Sequence, residues 1–428
     1  MKVTENISEF IRISKSKTGK DSFIVLAGSV FSSGLGFLAT ILITRTLGPA
    51  QFGVFSVSLA VMLITAQFSD FGIRTSLVRF VSLYLKDDES KANLTLKVAL
   101  KFKLIAALLI FLIGIFLSKS LAVHVFEKPI LTFPLKLAFV GAFGMSLVSY
   151  IAATLQARQS FKKLALLNLI NPLGKFVLIG LLFLSSKLDL FSAFTTVATL
   201  PFIAFLIGSL MIPKAFLKAK GEERKNFYEL FHYSKWVLVS VFCVMLFNKL
   251  DVLMLGYFKT TEIIGYYSAA YAFAFIFPLI TGAVTTVLLP KFSGVSSKEQ
   301  LRKYTVKSLK FTAPIIFPLI ILLVASKPII LWLYGVEYLS SVVIFKVLIC
   351  AFAISVIINP ISLAIYSLNK PEVVAYLNIV QLILNFLGNI FLIPLYGAVG
   401  AASVTLLIRI VAAFYISRYI YFKIIKNP

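Results

Sequence analysis

The sequence has few charged residues for its length and almost no cysteine or histidine. Charged residues make up 14% of the 428 positions, whereas soluble domains carry about a quarter. Cys243 and Cys350 both lie inside apolar runs, and the two histidines, His124 and His232, have no partners at metal-ligand spacing. These shortages argue against a disulfide framework, and we predict no metal site.

Sequence motifs of nucleotide-driven pumps and hydrolytic enzymes are missing as well. There is no phosphate-binding Walker loop, no nucleophile elbow and no HExxH zinc motif. Each of these motifs supplies a catalytic or phosphate-binding geometry that its chemistry requires. We therefore predict no catalytic residues and expect a protein that is not an enzyme.

Apolar residues dominate what is present. They make up 59% of the chain, including 41 Phe, and the mean hydropathy is +0.96. A membrane-spanning helix needs about 20 apolar residues. Stretches of about that length occur at residues 23–45, 52–73, 102–118, 130–157, 164–184, 188–212, 236–257, 263–289, 311–333, 338–366, 372–394 and 396–422. No alternating strand pattern recurs, so we predict an all-α integral membrane protein with about twelve transmembrane helices.

The basic residues between these spans predict the orientation. The formal net charge is +25, and most of the Lys and Arg fall at the N-terminus, in the alternate connections and in the C-terminal tail. The opposite face has only five, which are Lys119, Lys128, Lys187, Lys259 and Lys327. Because cytoplasmic connections carry the excess of Lys and Arg, both termini are expected in the cytoplasm of a cell-membrane protein. The same placement argues against nucleic-acid binding and for contact with anionic lipids.

An internal repeat predicts two similar halves. The segment 53–60 (GVFSVSLA) is echoed 212 positions later by 265–272 (GYYSAAYA), and 77–80 (LVRF) by 289–292 (LPKF) at the same offset. Six helices per half is an even number, so both copies enter the membrane in the same sense. We predict two pseudo-symmetric six-helix bundles, residues 1–212 and 236–428, around a central cavity and joined by a cytoplasmic linker at 213–235.

Charged residues inside the predicted spans are the candidates for a binding site. Buried charge is costly in lipid and usually faces a cavity or a partner. Six of the basic residues form the predicted substrate site, as cations suited to a diphosphate head group: Arg45, Arg74, Lys175, Lys249, Lys346 and Arg409. Two acids, Asp70 and Asp251, are predicted to act as charge partners or in ion coupling.

Several of these residues have a simpler interpretation. Asp70 and Arg74 are four residues apart on one helix, where they could neutralise each other. Arg45 lies near a span end, from which it could reach the interface, and the same holds for Lys136, a seventh basic residue. Lys175 follows a run, 171–174 (NPLG), that can break a helix. Lys346 and Arg409 lie deep enough to need a partner, which the sequence does not identify.

Two segments resemble a known family. In residues 46–56 (TLGPAQFGVFS) and 70–80 (DFGIRTSLVRF) the chain resembles the polysaccharide biosynthesis, or Wzx-type, flippases of the multidrug/oligosaccharidyl-lipid/polysaccharide exporter superfamily. Residues 249–258 (KLDVLMLGYF) and 264–270 (IGYYSAA) look like the matching signature of the second half. The resemblance covers essentially the whole chain and implies two six-helix bundles that alternate between inward-open and outward-open states.

The resemblance also implies a function. Such flippases carry a polyprenyl-diphosphate-linked oligosaccharide to the outer leaflet, with cationic cavity residues at the diphosphate and no cofactor, though a coupling ion such as H⁺ or Na⁺ fits the mechanism. Polysaccharide polymerase and glycosyltransferases are the expected partners, besides membrane lipids. The alternative is a cation-coupled multidrug antiporter, which should hold a buried carboxylate in the first bundle, where Asp70 is the candidate. A membrane-embedded glycosyltransferase ranks last, because the outer connections are short and poor in charge.

Overall fold

The computed structural model describes residues 17–277, 316–367 and 371–422, together with 299–301, 303 and 306. Every regular element within these ranges is helical, which confirms the predicted all-α class. The predicted spans at 263–289 and 311–333 are described in part, and the basic N-terminal stretch 1–16 lies outside the described residues.

The helices are long, and short helical turns connect several of them. In chain order they are α1 (Lys17–Ser69), α2 (Ile73–Asp87), α3 (Glu89–Ser120), α4 (Thr132–Ala157), α5 (Phe161–Leu184), α6 (Leu190–Ser209), α7 (Glu223–Phe258), α8 (Thr261–Ala274), α9 (Ile316–Val324), α10 (Ser326–Tyr334), α11 (Ser341–Ser367) and α12 (Pro371–Ile420). The turns span Leu121–Val125, Pro129–Leu131, Ala215–Lys218 and Val336–Tyr338.

Glycines in non-helical conformations divide the two longest helices. In α1, Gly48 has φ 66° and ψ 174°, and Pro49 begins the next helical arm. Glycine adopts this conformation without a side-chain clash, and proline suits the first position of a helix because its missing N–H has no partner there. Gly397, with φ 57°, divides α12 in the same way. Each of these helices therefore covers two of the predicted spans.

Eight of the described helices are long and apolar enough to cross a membrane. A ninth span is formed if α9 and α10, which meet at a bend of 70°, are taken together. Helices α1 and α12 each contain two arms, which agrees with the two apolar stretches predicted in each of these regions. The total of twelve transmembrane helices stays a prediction.

Helix α7 begins inside the stretch that the sequence predicts as a linker. It starts at Glu223, so only the second part of residues 213–235 is helical and continuous with a span. Two lysines of α3 hold this start in place: Lys101 Nζ lies 2.6 Å from the Glu223 carboxylate, and Lys97 Nζ donates to the Ala219 carbonyl at 2.7 Å. The linker is therefore anchored rather than loose.

The chain forms two compact units. The first comprises Met1–Leu42, Val61–Leu121 and Thr132–Phe242, and the second comprises Ile43–Ala60, Ala122–Leu131 and Cys243–Pro428. Two short segments of the predicted first bundle thus pack with the second unit. The functional bundles 1–212 and 236–428 remain a prediction.

The core of the first unit lies where α2, α3 and α4 meet. Ile73, Leu77 and Leu96 are fully buried there, and Tyr150 is nearly so. The Tyr150 hydroxyl donates to the carbonyl of Leu96 at 3.0 Å, which satisfies its polar atom inside an apolar cluster. These contacts fix the position of α2 and of the turn that precedes it.

In the second unit, residues at equivalent positions of the repeat touch each other. A Cβ atom on Gly53 would lie 1.7 Å from the carbonyl oxygen of Thr261, and one on Gly265 would lie 1.9 Å from that of Pro49. Pro49 and Thr261 are separated by the same 212 residues as the two glycines. The two halves therefore cross through matching backbone contacts, as small residues allow in membrane helices.

Two hydrogen bonds in the same unit also join the two halves at equivalent positions of the repeat. The Tyr338 hydroxyl donates to the Thr44 carbonyl at 2.9 Å, and Lys128 Nζ donates to the Gly256 carbonyl at 2.7 Å. Thr44 and Gly256 are again 212 residues apart. Burial lowers the pKa of Lys128, and the neighbouring Glu127 carboxylate opposes that effect. Each half thus uses a connection to hold the end of a helix from the other half.

Candidate functional site

Asp251 is the centre of a buried polar cluster in the second unit. Its side chain on α7 is 6% exposed. One carboxylate oxygen accepts from the Nδ2 atoms of Asn385 at 3.1 Å and Asn389 at 2.7 Å, both on α12. The other accepts from Thr405 Oγ1 at 2.8 Å and from the Tyr267 hydroxyl. Three helices therefore converge on one carboxylate.

The hydrogen-bond donors to Asp251 are all neutral. No ion pair of this carboxylate occurs among the described residues, and hydrogen bonds from neutral groups stabilise it where it is buried. The cluster is also rich in oxygen acceptors, and Asn389 Oδ1 is buried without a hydrogen-bond partner in the described structure. Carboxylate, amide and hydroxyl oxygens are the ligands that hard cations prefer. The donor set therefore suits either a proton or a small cation.

Lys249 and Arg409 flank this cluster on aromatic rings. Lys249 Nζ lies 5.5 Å from the centre of the Tyr271 ring, and the Arg409 guanidinium lies 5.1 Å from that of Phe247. Arg409 is close enough to Asp251 and Tyr271 to interact with them electrostatically. Its Nε atom is buried without a hydrogen-bond partner in the described structure. Neither cation forms an ion pair with a described carboxylate, although Arg409 keeps an electrostatic attraction to Asp251.

Asp70 is paired in the first unit, but not with the residue that its spacing suggests. The carboxylate forms an ion pair with Lys103 of α3, whose side chain is fully buried. Ser149 Oγ of α4 also donates to it at 2.7 Å. The predicted neutralisation of Asp70 by the Arg74 side chain is therefore wrong, because Lys103 occupies the carboxylate first.

Arg74 contacts Asp70 through its backbone alone. The Arg74 N–H donates to Asp70 Oδ2 at 3.0 Å, which caps the start of α2. Its guanidinium is exposed and forms no ion pair with any described residue. The structure thus leaves this predicted substrate-binding cation unneutralised.

Lys175 is held within the first unit. Its ammonium donates to Thr40 Oγ1 of α1 at 3.0 Å. The preceding residues 171–174 do not interrupt the helix, since α5 is continuous through Pro172. The predicted helix break at this point is wrong, and Lys175 instead joins α5 to α1.

The other predicted cations lie at exposed positions. Arg45 is exposed at the end of the first arm of α1, where its Nη2 donates to the Trp332 carbonyl at 2.6 Å. This contact favours the interface role over the cavity role. Lys346 on α11 is exposed, and so is Lys136 on α4. Lys346 forms no ion pair among the described residues, so the partner expected from the sequence is not found there.

Six polar residues of the two clusters are not predicted from the sequence. Lys103 follows a basic connection in the sequence, yet α3 begins at Glu89 and carries it into the packed interior. The other five are neutral residues: Ser149, Tyr267, Asn385, Asn389 and Thr405. One signal was present, because Asn385 and Asn389 are four residues apart in an apolar stretch and so share a helix face.

A family model decides the classification. The model described as "Polysaccharide biosynthesis protein" matches residues 18–296. The chain belongs to the polysaccharide biosynthesis protein family. This agrees with the resemblance carried by residues 46–56 and 70–80.

A curated relative and two solved structures show what the chain and its fold are similar to. The chain is 27% identical to the "Probable low-salt glycan biosynthesis flippase Agl15" of Haloferax volcanii, over 94% of this chain and 84% of that protein. Its fold is similar to that of "Lipid II flippase MurJ, inward closed conformation", with a TM-score of 0.75 at 17% identity, over 93% of this chain and 87% of that one. An inward-facing multidrug resistance MATE family transporter gives 0.71 at 12% identity, over 92% and 94%.

Proposed function

We propose that the protein is a flippase for polyprenyl-diphosphate-linked oligosaccharides. It moves the repeat units of O-antigen, capsule or exopolysaccharide from the cytoplasmic to the outer leaflet by alternating access. Membership of the polysaccharide biosynthesis family and the similarity to a probable glycan biosynthesis flippase support this substrate class. The protein is a transporter rather than an enzyme, since its similarity is to flippases.

One observation carries the proposal for the head group. Arg409 interacts electrostatically with Asp251, whose carboxylate accepts hydrogen bonds from four neutral donors, and neither Arg409 nor Lys249 forms an ion pair with a described carboxylate. A diphosphate supplies the missing negative charge, and Arg binds it bidentately while Lys acts as a point charge. Arg74 presents a further unneutralised guanidinium in the first unit. Lys175 and Arg45 contribute less, because each is engaged by a hydroxyl or a carbonyl group, and Lys346 stays a candidate.

Coupling to an ion gradient is assigned to Asp251. A proton or Na⁺ at this carboxylate would change the charge seen by Arg409, which interacts with Asp251 electrostatically. Ion occupancy and head-group affinity are then linked, and linkage of this kind is reciprocal. Asp70 has no such role, since Lys103 neutralises it.

The orientation follows the basic residues. We place the N- and C-termini in the cytoplasm and the chain in the cell membrane, because connections with few Lys and Arg belong outside. Polysaccharide polymerase and glycosyltransferases are the proposed partners, because they use or make the lipid-linked unit.

The multidrug antiporter is the less supported alternative. It requires a buried carboxylate in the first half that is free to exchange a cation, and Asp70 is instead bound by Lys103 and Ser149. The family match also names polysaccharide biosynthesis rather than drug export.

A binding measurement tests the head-group assignment. The purified full-length protein in nanodiscs should bind a polyprenyl diphosphate more tightly than the matched polyprenyl monophosphate. Arg409→Ala and Lys249→Ala should each weaken diphosphate binding about tenfold, because a charge-assisted contact is lost. Lys136→Ala, the same type of change at an exposed position, is the matched control. Equal binding of the two lipids would contradict the proposal.

A further inference from the structure

Helix α1 and helix α2 are separated by a tight turn in the first unit. Asp70, Phe71 and Gly72 form the turn, in which Phe71 has φ 47° and Gly72 has φ 70°. The turn cannot shift easily, because a Cβ on Gly72 would lie 2.5 Å from the Ser234 carbonyl oxygen of α7. Asp70 then caps α2 by accepting the Arg74 N–H. These contacts place Arg74 in the first turn of α2 with its side chain exposed.

The carboxylate of Asp70 is shared among three helices. Oδ2 accepts from Arg74 N, while Oδ1 accepts from Lys103 Nζ and from Ser149 Oγ. Lys103 also donates to Ser149 Oγ at 3.0 Å and to the Ser146 carbonyl at 3.2 Å. An ammonium has three donors, so this lysine is fully satisfied in a site from which solvent is excluded.

The pairing leaves Arg74 without an acid. Asp and Arg four residues apart on a helical stretch attract each other, and a buried carboxylate recruits whatever cation is in reach. Arg74 is in reach, since its own backbone N–H lies 3.0 Å from Asp70 Oδ2. Lys103 therefore occupies a carboxylate that would otherwise draw the Arg74 guanidinium inward.

We propose that Lys103 is a positioning residue, which neutralises Asp70 so that the exposed Arg74 guanidinium is free to bind the diphosphate of the lipid-linked substrate. The proposal rests on the proposed function, because it needs a diphosphate ligand. It goes further in giving a buried lysine that touches no substrate a defined effect on substrate affinity.

A double-mutant cycle on diphosphate binding tests the proposal. Farnesyl diphosphate is the probe, farnesyl monophosphate is its reference, and the full-length protein in nanodiscs is used. Arg74→Ala and Lys103→Met should each weaken diphosphate binding about tenfold. Because both changes remove the same contact, the combined variant should bind no more weakly than Arg74→Ala. Lys101→Met, two residues away at the surface, should bind like the wild type.

A second variant tests the role of Arg74 without an unpaired buried charge. Asp70→Asn/Lys103→Met removes both charges of the buried pair, so Arg74 no longer has the Asp70 carboxylate to pair with. This variant should bind the diphosphate within about threefold of the wild type, and adding Arg74→Ala should weaken its binding again. If Lys103→Met does not fold, loss of diphosphate binding in this double variant still overturns the proposal.

The results distinguish a failure of the proposed function from a failure of the role proposed for Lys103. If the wild-type protein does not discriminate the diphosphate from the monophosphate, the proposed function fails and this inference fails with it. If the wild type discriminates but Arg74→Ala binds normally, or if Arg74→Ala and Lys103→Met weaken binding additively, only the role of Lys103 is overturned. Loss of binding in Asp70→Asn/Lys103→Met would also overturn it.

Discussion

Gly53 and Gly265 lie face to face in the second unit, each against the backbone carbonyl four residues before the other. Gly53 approaches Thr261, and Gly265 approaches Pro49. The contact joins positions 212 residues apart, so it relates the two copies of the repeat directly. Its symmetry explains why glycine stands at this position in both halves.

Alanine at either glycine should destabilise the protein. The added Cβ would overlap a backbone carbonyl, which a side-chain rotation cannot relieve, so we expect a loss of about 3 kcal/mol, at the upper end for over-packing. The measurement is thermal unfolding of Gly53→Ala and Gly265→Ala in detergent. Gly180→Ala is the control, because a Cβ there meets nothing within 4 Å. Equal stability of all three variants would contradict the crossing.

The buried ion pair predicts unequal effects of two nearby lysines. Lys103→Met removes the buried cation of Asp70, and pairing with Arg74 compensates only in part, so we expect a loss of about 3 kcal/mol, at the low end for a broken buried pair. Lys101→Met removes a solvent-exposed pair with Glu223 and should leave stability nearly unchanged. Asp70→Asn/Lys103→Met should recover most of the loss. Unfolding midpoints in one detergent give the comparison, and similar losses for the two single variants would refute it.

Asp251→Asn should remove the response of transport to an ion gradient. The amide keeps the shape of the side chain but removes the charge that a proton or Na⁺ would bind. We expect transport by the wild type in liposomes to respond to an imposed H⁺ or Na⁺ gradient, and that by Asp251→Asn to respond to neither. Glu262→Gln, at an exposed carboxylate of α8, is the matched control. A gradient response in Asp251→Asn equal to that of the wild type would remove the coupling role.

Thiol labelling tests the orientation. Lys187 and Lys220 are both exposed in connections, at 185–189 and 219–222. In a background that lacks Cys243 and Cys350, a membrane-impermeant thiol reagent should label Lys187→Cys in intact cells and Lys220→Cys only after permeabilisation. The reverse pattern would place the termini outside and invert the proposed topology.

Hydrophobic patterning predicts the helices well, since lipid demands long apolar runs with all backbone groups paired internally. Residues shared at an offset of 212 positions predict the repeat, and the structure places two of its glycines, Gly53 and Gly265, against each other. The partners of the buried charges are harder to predict, because they come from other helices. Asp70 has an arginine four residues away, yet its partner is Lys103, 33 residues further along the chain.

The same limit applies to Asp251. Its four donors are neutral side chains on α8 and α12, and neutral residues give little signal in a search for charge. Lys175 and Arg45 illustrate the converse, because each is visible as a cation but is engaged by a hydroxyl or a carbonyl group. The sequence thus shows where the charged residues are, but only the packing of the helices shows which of them already have partners.

Movement of the lipid between leaflets tests the central claim most directly. The purified protein, reconstituted in liposomes, should carry a polyprenyl-diphosphate-linked oligosaccharide from one leaflet to the other. Arg74→Ala, Lys249→Ala and Arg409→Ala should slow this movement about tenfold each, and Lys136→Ala should not. If the lipid does not move while a cationic dye is expelled under an H⁺ or Na⁺ gradient, the flippase function is contradicted and the antiporter takes its place.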